Sequence, residues 1–128
     1  MLSAVADRFG IWGAAGQRGV AWGNWANFVN YTQQLNAYAN HFIAEILSVL
    51  ATIFEITFAV LLFMGYKTRL AALGTGLLML LFALAMAVSS SIKAPLDYSV
   101  FTSAAAAFLL SAVGESSFAL DNNFKKPR

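Results

Sequence analysis

The sequence predicts an all-α integral membrane protein, a helical bundle with three membrane spans and a short outer amphipathic helix. Three observations carry this reading. Hydrophobic residues make up 59% of the chain and charged residues only 11%, where an ordinary soluble domain carries about 25% charge. Apolar stretches at 41–64, 70–91 and 98–120 are each long enough, at about 20 residues, to cross a hydrocarbon core as a helix. The connections between them are short and hold Gly, Lys, Arg and Pro. The 128 residues fit one membrane domain, 1–128, with 1–40 as an outer, interfacial segment and 121–128 as a cytoplasmic tail.

Composition also excludes several functions. A net charge of +2 is built from few charges, and no basic stripe tracks phosphates, so nucleic acid is not a partner. With no Cys, the chain cannot run a dithiol mechanism or hold an iron–sulfur cluster or a thiolate metal site. One His cannot give a haem two axial ligands. No cofactor is therefore expected within the chain. A redox group would have to bind without such ligation, as a quinone can, or sit in a partner.

Met1 to Phe9 has too short an apolar run, with Asp7 and Arg8 too early, for a signal peptide. Ile11 to Gly23 is Gly-rich and reads as loop. In the segment 22–38, Trp22, Trp25, Phe28 and Val29 fall at helical spacing with Asn24, Asn27 and Asn30 between them. This is an amphipathic helix at the membrane interface, where Trp and Tyr rings are favoured, or a segment that covers the mouth of the bundle.

The span 41–64 organises the rest. His41, Glu45, Ser48, Thr52 and Glu55 recur at spacings of four, three, four and three, a polar stripe amid Ile, Leu, Val and Phe. Lipid cannot satisfy that stripe, so it must face protein or trapped water. Glu55 lies ten residues before Gly65, about 15 Å below that helix end and close to the midplane. The helix still inserts: about 14 Leu, Ile, Val and Phe residues contribute roughly 6 kcal/mol, against about 3 kcal/mol for one midplane carboxyl.

Gly65 ends this span, and Gly65 to Arg69 forms a tight connection. The span 70–91 holds no ionisable residue, and its Ala72 and Gly76 allow close helix approach. Lys93 to Tyr98 reads as a turn, because Ala94 precedes Pro95. In the span 98–120, Ser103, Ala107, Ser111 and Glu115 form a small or polar seam for packing. Lys67, Arg69, Lys125, Lys126 and Arg128 share one side, against Lys93 on the other, with Arg8 and Arg18 set aside as too distant. That asymmetry places the C-terminus in the cytoplasm of a multi-pass cell-membrane protein.

Leu2 to Gly10 (LSAVADRFG), Gly23-Asn24-Trp25, the Glu55 helix running into Met64-Gly65-Tyr66-Lys67-Thr68-Arg69-Leu70-Ala71-Ala72, and Ile92 to Phe101 (IKAPLDYSVF) resemble DoxX-type membrane proteins over nearly the whole chain. The resemblance implies a four-helix membrane bundle. Some relatives are linked to membrane oxidoreductases, including a thiosulfate–quinone oxidoreductase and a complex that handles oxidative stress. Members usually have a first membrane helix running into the LSAVADRFG-like stretch, where this chain starts. The expectation is thus a truncated start or a bundle of three spans.

Glu55 is the first candidate, with Ser48 and Thr52 beside it. It can carry protons or bind a polar head group, or it can be a hydrogen-bonded carboxyl that specifies helix packing. It is expected to be neutral and to point into the bundle, with a Ser, Thr or Tyr hydroxyl of another span in reach. His41 and Glu45 stand one turn apart at the outer end, too few ligands for a metal site, so solvation is the simpler role. Lys67 and Arg69 are topology anchors, and Arg69 has Glu115 as a possible ion-pair partner. Lys93 and Asp97, beside Tyr98, form an ion pair across their turn.

Two function classes follow. The resemblance implies an accessory or quinone-facing subunit of a membrane oxidoreductase. The alternative is a small transporter or permeation unit, or an assembly partner without catalysis. The lipid bilayer is one partner, and a second copy or another membrane subunit is the other, because three spans cannot easily bury the stripe of the central helix.

Overall fold

The computed structural model describes residues 1–113, and every regular element among them is helical. The elements are α1 (Leu2–Arg8), α2 (Trp25–Leu35), α3 (His41–Met64), α4 (Thr68–Ser89), α5 (Lys93–Asp97) and α6 (Val100–Ala112). They fall into two compact units, Met1–Ile56 and a second that begins at Thr57, with α3 running through the division.

In the first unit, α1 and α2 pack together. Residues between them form a loop whose ends meet: a Cβ on Gly10 would stand 2.9 Å from the carbonyl oxygen of Gly23. The loop hangs on Asp7, whose Oδ2 accepts the N–H groups of Ala21 at 2.9 Å and Trp22 at 3.0 Å. The amphipathic segment is helical only from Trp25 to Leu35. Asn24 starts it by accepting the Asn27 N–H at 2.8 Å. Asn40 does the same for α3, accepting the Ile43 N–H at 2.9 Å.

The bounds of α3 are those of the first apolar stretch. At its end the Gly65 N–H reaches the Leu62 carbonyl and the Tyr66 N–H reaches the Leu61 carbonyl, at 3.2 and 3.0 Å. Gly65 takes φ +65° to allow this Schellman turn. α4 begins two residues earlier than the second apolar stretch and ends two earlier, at Ser89.

In the second unit, α4 packs along α6. Ala72 and Gly76 are buried there, and a Cβ on Gly76 would come within 2.7 Å of the Phe108 ring. A Cβ on Gly74 would come within 2.4 Å of the Phe58 ring. Small residues thus make room for aromatic rings, which is how packing draws apolar helices together without a hydrophobic drive from water.

Two sequence expectations are corrected. Lys93 to Asp97 is a helical turn and not an irregular one. Pro95 sits at the third helical position, where its missing N–H would have had no intrahelical partner, so the helix loses nothing. On α6 the buried positions are Ala104 and Ala107, not the Ser103 end of the expected seam. Ser103 is exposed and its hydroxyl donates to the Ser99 carbonyl at 3.1 Å, while Ser111 donates to the Phe108 carbonyl at 2.6 Å. Both hydroxyls are satisfied within their own helix and need no neighbour. The rest of the 98–120 span, Glu115 and the 121–128 tail lie outside the described residues.

α3 and α4 are long and apolar enough to cross a membrane. Burial separates this reading from that of two soluble core helices. Only 17% of the apolar window of α3 and 33% of that of α4 is buried, whereas core helices would be mostly covered. Phe63 and Val88 are 92% and 88% exposed, which water would penalise and lipid does not.

Candidate functional site

The buried face of α3 within the first unit is Ala44, Ser48, Thr52 and Glu55. His41 and Glu45, expected on the same stripe, are exposed. That exposure agrees with the solvated role expected of the outer end of the helix, since polar groups in its first turns reach the membrane surface and need no protein partner. Among the described residues no cluster of three or more His, Asp and Glu could hold a metal ion.

The Glu55 carboxylate is paired with a cation. Arg8, the last residue of α1, donates from Nη2 to Glu55 Oε1 at 2.7 Å and from Nη1 to Thr52 Oγ1 at 2.6 Å. Both charged side chains are 2% exposed. The expected partner, a hydroxyl of another span, is replaced by a guanidinium, which holds a carboxylate more strongly because the hydrogen bond is charge-assisted. The Thr52 hydroxyl passes its own proton to the Ser48 carbonyl at 2.8 Å. The stripe spacing of four and three aligns Ser48, Thr52 and Glu55 on one face, so a single guanidinium bridges two of them.

Aromatic rings complete the setting. The Arg8 guanidinium carbon lies 3.7 Å from the centroid of Phe28 and 5.4 Å from that of Trp22. Trp22 meets Phe28 edge-on, with centroids 5.0 Å apart. A desolvated cation over aromatic faces gains about 2 kcal/mol from their quadrupoles. Asp7 is tied to the same aromatic cluster, since its carboxylate accepts the backbone N–H of Trp22.

Residues 42–50 and 49–56 of α3 border two shallow grooves. One, of about 360 Å³, is lined by Phe9, Trp25, Val49, Thr52, Ile53 and Ile56. Phe9 and Trp25 are stacked there, centroids 6.0 Å apart and planes at 16°. The other, of about 300 Å³, is lined by Phe42, Glu45, Ile46, Val49 and Leu50. Thr52 is thus shared between the first groove and the buried ion pair.

Four groups of this neighbourhood are buried with no hydrogen-bond partner among the described residues: Asp7 Oδ1, Arg8 Nε, Ser48 Oγ and Glu55 Oε2. Of the other sequence candidates, Arg69 and Tyr98 are exposed, and Lys93 and Asp97 are paired with each other on the surface of α5. Arg8 was the functional-type residue that the sequence reading set aside. The one signal for it is indirect: a carboxyl near the midplane calls for a cation.

A family model described as DoxX matches residues 15–88, more than half of the chain. No curated protein and no solved structure matches it.

Proposed function

The chain belongs to the DoxX family of membrane proteins, and on that premise we propose that it is an accessory, quinone-facing subunit of a membrane oxidoreductase. The observation that carries this reading is the groove of Phe9, Trp25, Val49, Thr52, Ile53 and Ile56, in which a stacked aromatic wall stands beside an apolar face of α3. An isoprenoid quinone has the matching shape, a flat ring with an apolar tail. The buried Arg8–Glu55 pair holds Thr52 from the protein side, so the α3 face that lines the groove is fixed. The permeation reading is less well supported. Arg8 occupies the polar stripe that an ion or solute would need to follow.

In this proposal the chain is a single domain with three spans, α3, α4 and a third that starts with α6, lying in the cell membrane with the C-terminus cytoplasmic. It works beside a second copy or a partner membrane subunit. Single cysteines at Thr68 and Ser99 are expected to be labelled by a membrane-impermeant reagent from opposite sides. Labelling of both from one side would overturn the topology.

The functional reading is tested by purifying the full chain in a mild detergent and identifying co-purifying small molecules by mass spectrometry. A quinone retained by the wild-type chain, and lost when Thr52 or Trp25 is replaced by a residue that fills the groove, is the expected result. A chain that retains no quinone but conducts protons in liposomes would favour permeation.

A further inference from the structure

The length of α3 sets the depth of whatever touches it. Its 24 residues span about 36 Å, against about 30 Å of hydrocarbon. Val49 to Ile56 lie about 12–22 Å along the helix from His41. Even with the whole excess of about 6 Å standing outside the bilayer on the His41 side, these residues are within the hydrocarbon. Phe9 and Trp25 line one groove with them, and Arg8 reaches Thr52 and Glu55. The end of α1 and the start of α2 therefore sit inside the bilayer, where the sequence predicts an interfacial segment. What this region exposes does not suit lipid. The connection from Gly10 to Gly23 is irregular, starts and ends beside the groove residues Phe9 and Trp25, and leaves Gln17 and Arg18 exposed. Along α2, Ala26, Asn30 and Gln34 form an exposed stripe at a spacing of four, while the apolar Phe28 and Val29 are buried. Hydrocarbon satisfies neither amides, nor a guanidinium, nor irregular backbone. At membrane depth such groups persist only against protein or water.

We infer that a water-filled vestibule opens on the His41 side of the membrane, runs along the Ala26–Asn30–Gln34 face of α2, and ends blind at the Arg8–Glu55 pair. Water suits this surface better than a protein partner does. Each amide presents two donor protons and a carbonyl acceptor, and Arg18 has no ion-pair partner among the described residues. Water meets such groups in any arrangement, whereas a protein face would have to match each of them and supply a counter-charge. The blind end follows from burial. Arg8 and Glu55 are each 2% exposed, and the Phe28 and Trp22 rings lie against the guanidinium. Water thus reaches the level of the apolar groove from one side without crossing the membrane. This holds whatever the groove binds.

The experiment uses the full chain in phospholipid vesicles and reads depth and water access separately. In Trp12→Phe, the remaining Trp22 and Trp25 report depth. Their fluorescence is expected to be quenched more strongly by phospholipids brominated near the acyl-chain ends than by those brominated near the glycerol. The chain has no Cys, so Ala26→Cys, Asn30→Cys and Ile53→Cys each give a single thiol. A charged, membrane-impermeant methanethiosulfonate is added to one side at a time, with Thr68→Cys marking the side opposite His41. Ala26→Cys and Asn30→Cys are expected to react from the His41 side alone, at least about tenfold faster than Ile53→Cys, whose thiolate is disfavoured in the apolar groove. Stronger quenching near the glycerol would put α2 at the surface and overturn the vestibule. Deep quenching without labelling would mean that protein covers the polar face, and would overturn it too. Labelling from both sides would replace the blind end with a through path.

Discussion

Glu55→Leu is expected to be among the most destabilising single changes in this chain, at about 3–5 kcal/mol, because it leaves the Arg8 guanidinium buried without its counter-charge. Arg8→Met should cost a similar amount, for the mirror reason. The Glu55→Leu, Arg8→Met double variant should recover most of the loss, since a buried ion pair replaced by apolar groups of similar volume is often neutral. The strong non-additivity is the diagnostic outcome. Glu55→Gln should fall between, because an amide oxygen still accepts from Arg8 Nη2 while the charge is gone. Unfolding in detergent can be followed by tryptophan fluorescence, as Trp12, Trp22 and Trp25 all lie in the unit that contains the pair. Losses that simply add in the double variant would refute the coupling between Arg8 and Glu55.

This pair also shows where the sequence was legible and where it was not. The helix α3 could be bounded to the residue, because a predominantly apolar run with helical spacing of its polar residues ends at a chain-reversing Gly65. The polar face of that helix was legible from spacing alone. Its partner was not. Arg8 and Glu55 are 47 positions apart, and nothing local in a charged residue near the start of a chain separates a buried cation from a solvated one. The decision rests on which residues fold back over α3, and that depends on the loop between α1 and α2. Exposure of His41 and Glu45 is a matter of depth rather than of helical angle, and their place at the outer end of the span made it legible. The Lys93 to Asp97 turn was misread for a different reason. The conformational bias against helix before proline is real, yet it acts on Ala94 alone and is outweighed when the proline falls in a first turn.

The loop that positions Arg8 makes the second large effect. Gly23→Ala is expected to destabilise the first unit by about 2–5 kcal/mol. The residue takes φ +68°, which costs a side-chain-bearing residue roughly 1–2 kcal/mol. Its added Cβ would also stand 2.3 Å from the Ala15 nitrogen and 2.8 Å from the Ala14 carbonyl carbon. Those are backbone atoms, so relief requires the loop to shift, at about 1–3 kcal/mol more. Gly23 joins two functional neighbours. Trp22 donates its N–H to Asp7 and rests on Phe28, and Asn24 caps α2. A displaced Gly23 therefore loosens both the aromatic seat of Arg8 and the start of the helix that supplies Trp25 to the groove. Gly16→Ala is the control, with φ +89° but nothing within 4 Å of the added Cβ. It should cost only the conformational part, about 1–2 kcal/mol. Equal losses in the two variants, read by tryptophan fluorescence during unfolding, would refute the close contact between Gly23 and the Ala14–Ala15 backbone.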